Sequence, residues 1–136
     1  MSKYKIVIVE NDEDEQFFMK EGFDQTGLFE ILAMVTNGDA LLEWMEANPA
    51  QLPQLVLSDL NMPGKNGYDI ITELKETPAY AHIPVIITST SSTKAFIDKC
   101  LDFGAAYYLV KPETFIAYAP FAEALHRLIE EKGLVK

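Results

Sequence analysis

Asp59 ends an apolar run, Leu55-Val56-Leu57-Ser58, and opens the stretch Asp59-Leu60-Asn61-Met62-Pro63-Gly64-Lys65-Asn66-Gly67. A carboxylate at the point where a buried strand runs out into a Pro/Gly turn sits at the rim of a sheet. There it is open to ligand yet held by a rigid element. Three other segments follow apolar runs in the same way: Glu10-Asn11-Asp12, Thr88-Ser89 and Lys111-Pro112. If the acidic loop and the lysine converge on Asp59, it becomes a metal-assisted nucleophile.

Hydrophobic periodicity indicates the elements that must position these groups. Tyr4–Val9, Phe29–Val35, Leu55–Leu57, Ile83–Ile87 and Tyr107–Val110 are short, Val/Ile-rich and mostly continuous, as strands covered on both faces should be. Helical spacing fills the gaps. Phe17, Phe18, Phe23 and Leu28 mark the first helix, and Ala40, Leu41, Trp44 and Met45 the second. Tyr68, Ile71 and Leu74 mark the third, and Phe96, Ile97, Cys100 and Leu101 the fourth. Phe121, Leu125, Leu128 and Ile129 carry the fifth, and all five stripes are expected to face the core. Five strands alternating with five helices predict an α/β domain with a parallel sheet and right-handed crossovers. In such sheets ligands gather outside the carboxyl ends of the strands, where strand order reverses. The chemistry-bearing segments all fall at those ends.

A chain of 136 residues fits one domain with a substantial core, spanning residues 1–136. Its 49% hydrophobic and 24% charged residues are those of an ordinary globular protein. No apolar run approaches the ~18 residues of a membrane span. Met1-Ser2-Lys3-Tyr4-Lys5 enters a strand pattern without a cleavage site, so a cytoplasmic location is expected, and the single cysteine agrees with it. A net charge of -10 argues against sequence-independent nucleic-acid binding, which depends on Lys and Arg neutralising phosphates.

Taken together, Asp59-Leu60-Asn61-Met62-Pro63-Gly64 with Gly67, then Thr88-Ser89, then Tyr108-Leu109-Val110-Lys111-Pro112 resemble the receiver domain of two-component response regulators. The segment Ala79-Tyr80-Ala81-His82-Ile83-Pro84 is similar to single-domain regulators of the phytochrome-associated type. The resemblance implies a flavodoxin-like strand order, 2-1-3-4-5, and phosphoryl transfer to Asp59 from a sensor histidine kinase or phosphotransfer protein. It implies Mg2+ held by Asp59, the backbone carbonyl of Asn61 and the loop of Glu10 and Asn11, in keeping with that cation's preference for oxygen ligands. Lys111 would be a point charge on the phosphoryl oxygens, and Thr88 would donate its hydroxyl to them. Tyr108 would follow Thr88 in a two-state switch read by a downstream protein on the face of the fourth helix, fifth strand and fifth helix. The protein would catalyse its own phosphorylation and dephosphorylation, act as a monomer or homodimer, and carry no output domain of its own. The Lys111–Pro112 bond is expected to be cis, as in the family.

Two departures stand out. The family's loop after the first strand normally ends in two acidic residues, and here the second is Asn11, which offers a neutral carbonyl oxygen to a metal. Asp12 fits a helix N-cap instead, with Glu15 completing a capping pattern. Near the other end, Pro120 would break the interior of a helix capped by Thr114, so the last helix should start late, with Pro120 in its first turn. Cys100 reads as core, His82 and His126 as structural or solvent-facing, and Gly64 and Gly67 as turn residues. The alternative function is a pseudo-receiver, a binding module independent of phosphate, for which Asn11 is the main argument. An aspartyl-phosphate hydrolase of the haloacid-dehalogenase type would need Asp-x-Asp where Glu10-Asn11-Asp12 stands. The acidic loop also argues against a flavin-phosphate site.

Overall fold

Strand and helix alternate without interruption along the chain. The computed structural model describes residues 3–62, 64–114 and 117–135, so Pro63 of the turn and Phe115 and Ile116 of the last connection lie outside the described residues. The elements are β1 (Tyr4–Val9), α1 (Glu13–Thr26), β2 (Phe29–Val35), α2 (Gly38–Ala47), β3 (Leu55–Asp59), α3 (Gly67–Glu76), β4 (Val85–Ser89), α4 (Lys94–Phe103), β5 (Tyr107–Val110) and α5 (Tyr118–Lys132). All strand pairs are parallel, in the order β2-β1-β3-β4-β5, so the flavodoxin-like α/β topology is present. β1 sits between β2 and β3, which makes the carboxyl ends of β1 and β3 the point where strand order reverses.

Because side chains alternate along a strand, each strand feeds two separate cores. Val7, Val9, Val56 and Ile87 pack with Leu41, Met45, Ile71, Leu74 and Cys100 on the α2–α3–α4 side. Ile6, Ile8, Leu55, Leu57 and Ile86 pack with Met19, Phe23, Phe121, Leu125 and Ile129 on the α1–α5 side. Extending each alternation past its last apolar residue gives Glu10 after Ile8, Asp59 after Leu57, Thr88 after Ile86 and Lys111 after Leu109. All four share the parity of the α1–α5 side.

Several expectations require correction. The fourth strand begins at Val85 rather than Ile83, because Ile83 is committed to a turn, its N–H donating to the Tyr80 carbonyl at 2.9 Å, and Pro84 has no N–H to offer. Leu28 lies beyond the helix, after Gly27 closes α1 in the left-handed region. Not every apolar stripe faces inward. Phe17, Phe96 and Leu101 are 49%, 46% and 42% exposed. The packed face of α1 is Met19, Gly22 and Phe23, and α4 buries Cys100 as its anchor, so neighbours off those lines meet water. The Lys111–Pro112 peptide is trans. Gly67 serves more than turn geometry: a Cβ there would stand 2.9 Å from Ile87 Cδ1 and 3.2 Å from the Asp59 carbonyl. The absence of that atom lets α3 start directly beneath the end of β3.

The late start of α5 is observed, with Ala117 at its N-cap and Pro120 in its first turn, where a missing N–H costs the helix nothing. His126 is buried, its ring 5.3 Å from that of Tyr4 and 5.9 Å from that of Phe29, and Trp44 is half-buried. α1 and α5 approach at backbone distance. A Cβ on Gly22 would fall 2.6 Å from Tyr118 Cβ and 2.7 Å from Ala119 N. Gly22→Ala is therefore expected to lose about 1–3 kcal/mol by overpacking, although alanine is the better helix former by about 1 kcal/mol. A urea midpoint equal to or above that of the wild type would show that the two helices can part without cost.

Candidate functional site

Each of the four sheet-end residues is fixed by backbone bonds at the edge. Glu10 N–H donates to the Val35 carbonyl at 2.9 Å, Leu60 N–H to the Thr88 carbonyl at 3.0 Å, and Lys111 N–H to the Ser89 carbonyl at 2.8 Å. Asp59 lies directly beside Thr88 in the β3–β4 register, and Ser58 Oγ donates to the Asp59 carbonyl at 2.9 Å. The parallel ladder thus aligns the strand ends, and parity turns their side chains to one side.

There the side chains converge on Lys111. Its ammonium donates to Glu10 Oε1 at 2.8 Å and lies 3.5 Å from both Asp59 Oδ1 and Glu15 Oε1. The second oxygen of Glu10 accepts from the Asp12 N–H at 3.1 Å, and Gln16 Nε2 donates to the Glu10 carbonyl at 2.6 Å. Glu10 is 1% exposed, so a buried carboxylate is tied down at both oxygens. Asp12 is the N-cap of α1, accepting from Asp14 N and Glu15 N, as the sequence indicates. The capping pattern is incomplete in one respect. Glu15 turns its side chain away from the helix end and toward Lys111, and its other oxygen accepts a short hydrogen bond from the Tyr118 hydroxyl.

Three carboxylates around one ammonium leave an excess of negative charge in a desolvated place. Burial pushes Asp59 above the ordinary carboxylate range, and the charge and hydrogen bonding of Lys111 offset this only in part. Burial raises Glu10 in the same way, against the hydrogen bonds from Lys111 and Asp12. For Lys111 burial favours the neutral amine, yet the hydrogen bond to Glu10 and the charges of Asp59, Glu10 and Glu15 outweigh it and hold the ammonium above its usual range. Burial, followed by the bond to Glu15, pushes the Tyr118 phenol up as well.

Among the described residues, Thr88 Oγ1 is buried and has no hydrogen-bond partner, although it stands next to Asp59. An unpartnered buried hydroxyl is costly unless a further group arrives to accept from it. Tyr108 is buried, and its hydroxyl donates to the Ser91 carbonyl at 2.6 Å, in the loop that leads from Thr88 to α4. Asn11 and Asn61 are exposed in the loops after β1 and β3. Among the described residues no three His, Cys, Asp or Glu side chains form a metal-holding group. The candidate set of Glu10, Asn11, Asp59 and the Asn61 carbonyl therefore combines two carboxylates with neutral oxygens.

The family model for the response regulator receiver domain matches residues 6–117. The chain belongs to that family. A solved neighbour of this receiver is the phosphorylated cyanobacterial phytochrome response regulator RcpA, with a TM-score of 0.80, 25% identity and 96% of each chain covered. The two-component response regulator ORR12 of Oryza sativa subsp. japonica is 45% identical over 58 residues, 43% of this chain and 48% of that protein. The match thus spans about half the length of that curated relative. The probable methanogenesis regulatory protein FilR2 of Methanothrix harundinacea is 26% identical over 129 residues, covering 93% of this chain and 79% of that protein. The family accepts phosphoryl groups, and the fold resembles that of phytochrome-associated regulators.

Sequence reasoning missed Glu15 and Tyr118 as members of this receiver's site. Their signal is helical phase. Glu15 precedes Met19 and Phe23 by four and eight positions, on the packed face of α1, and Tyr118 leads the Ala122, Leu125 and Ile129 stripe of α5.

The raised pKa of Asp59 has a stability consequence. A group whose pKa is higher folded than unfolded contributes stability below its unfolded pKa, and that contribution is lost as pH rises through the folded pKa. Ionised Asp59 therefore weakens the receiver at neutral pH. Asp59→Asn should raise the urea midpoint at about pH 7, with the gain shrinking as pH falls toward about pH 4, the ordinary carboxyl range. A variant less stable than the wild type at neutral pH would contradict this.

Proposed function

We propose that this receiver takes a phosphoryl group onto Asp59 from a histidine kinase or phosphotransfer protein, and that it does so with Mg2+. The observation that carries the reading is Thr88 Oγ1, a buried hydroxyl with no partner among the described residues, beside a carboxylate already within 3.5 Å of Lys111 Nζ. A phosphoryl group on Asp59 would give that hydroxyl an acceptor and Lys111 a stronger one. In the transfer an Asp59 oxygen forms the new O–P bond while the bond from phosphorus to the donor breaks and its electron pair leaves with the donor. Little covalent chemistry falls to the protein, so its contribution is positioning and charge.

The donor set suits a hard divalent cation, since every candidate atom is an oxygen. Asp59, the Asn61 carbonyl and the Asn11 side-chain carbonyl would hold Mg2+, with Glu10 reaching it through water. The cation would supply charge neutralisation at the phosphoryl oxygens. Asn11 removes one negative charge from this set, and weaker Mg2+ binding than with a paired-acid loop follows. Lys111 would bind the phosphoryl oxygens, and Tyr108, anchored to Ser91, would pass the state of Thr88 to the loop before α4. The exposed apolar residues Phe96 and Leu101 on α4 and Val110 on β5 support a protein partner on the α4–β5–α5 face.

Asn11 favours one other reading, a receiver that binds its partner without phosphate. Intact-protein mass spectrometry separates the two. After incubation with acetyl phosphate, the wild type should gain one phosphoryl mass with Mg2+ and little without it, and Asp59→Asn should gain none. No adduct from either acetyl phosphate or a phosphorylated histidine donor would transfer the weight to the phosphate-independent module. Labelling of Asp59→Asn at an unchanged rate would remove Asp59 from its role.

A further inference from the structure

Glu15 belongs to α1 by sequence and to the reactive site by contact. Its side chain is 17% exposed, with Oε1 3.5 Å from Lys111 Nζ and Oε2 accepting from the Tyr118 hydroxyl. Tyr118 is 1% exposed and opens α5. The missing side chain of Gly22 brings α1 against Tyr118 at backbone distance, so Glu15 and Tyr118 have little freedom to separate. A single carboxylate thus connects the lysine of the site to the first turn of the last helix.

An ammonium has three N–H donors and no acceptor. Lys111 directs its charge at three carboxylates, and the contacts are unequal: 2.8 Å to Glu10 but 3.5 Å to Glu15 and to Asp59. A phosphoryl group carried by Asp59 would add strong anionic acceptors on the Asp59 side. Of the other two carboxylates, Glu10 is the more buried and the more tightly bound, at both its oxygens, while Glu15 has a long contact and a second partner in Tyr118. Glu15 is the contact that yields.

We propose that Glu15 is a positioning residue that holds Lys111 as a stand-in for phosphoryl oxygens in the unphosphorylated protein, and that its release, felt through Tyr118, reports phosphorylation to the first turn of α5. The proposal rests on the phosphoacceptor reading of Asp59 and deepens it. Glu15 has two effects before transfer: it engages the lysine, and it sets a negative charge near an anionic donor. A residue needed only for packing would do neither.

The test compares wild type, Glu15→Gln and Tyr118→Phe, with acetyl phosphate and Mg2+ as the probe. Labelling rates come from intact mass, and amide hydrogen exchange across 118–122 is followed before and after labelling. Glu15→Gln keeps the shape and one accepting oxygen, turns the other into an NH2 donor and removes the charge, and should be labelled roughly five-fold faster, the scale of one nearby unit charge in a partly screened site. Tyr118→Phe retains the Glu15 charge, so it should be labelled more slowly than Glu15→Gln. It should lose the change in α5 exchange that phosphorylation produces in the wild type. A labelled wild type with Glu15→Gln no faster, or an exchange change that persists in Tyr118→Phe, overturns the proposal alone. A wild type that accepts no phosphoryl overturns the Asp59 reading and this proposal with it.

Discussion

The pull of one lysine on three carboxylates organises this receiver's site. Lys111 can reach Glu10, Asp59 and Glu15 only because β5, β1, β3 and α1 each bring one side chain to the same edge on the same side. A parallel sheet makes that possible: its strand ends align, and its pleat sends alternate residues to a common face. The two separate cores then have a clear role. They hold the strands in the register that sets Asp59 beside Thr88, and they hold α1 and α5 close enough for Glu15 to meet Tyr118. The site is also a local weakness. Ionised Asp59 and Glu10 are desolvated, so stability is given up at the candidate site.

The fold was largely legible in the sequence because the strands are short apolar runs bounded by turn residues. Three of them, Tyr4–Val9, Phe29–Val35 and Tyr107–Val110, have the boundaries their hydrophobicity indicates. The fourth strand is displaced because hydrophobicity cannot distinguish Ile83 in a turn from Ile86 in a ladder, and Pro84 was the available signal. Asp59, Glu10, Thr88 and Lys111 could be found because each stands at or next to the end of a strand. Glu15 could not be found in that way. It stands in a run of acids that a helix N-terminus would attract on electrostatic grounds alone, and only the phase of Met19 and Phe23 separates it from Glu13 and Asp14. Phe17, Phe96 and Leu101 show the reverse error, since apolar spacing does not specify how wide a buried face is.

Asn11 changes the charge balance more than it changes the architecture. Its loop still ends at the sheet edge, and Asp12 still caps α1. With an acid at Asn11, the loop after β1 would carry a further negative charge. Glu15 brings a carboxylate to Lys111 from α1, held by a residue of α5 rather than by the loop. The carboxylates around Lys111 thus come from the sheet edge and from α1, and Glu15 links them by contact to α5.

The central claim is that Asp59 is the atom-level acceptor. It is tested most directly by reducing the phosphorylated protein with borohydride, which converts an acyl phosphate to an alcohol, and locating the product by peptide mass spectrometry. The account predicts homoserine at position 59 and nowhere else. Reduction at another carboxylate, such as Glu10 or Asp12, or a stable phosphate ester on Thr88, would contradict it.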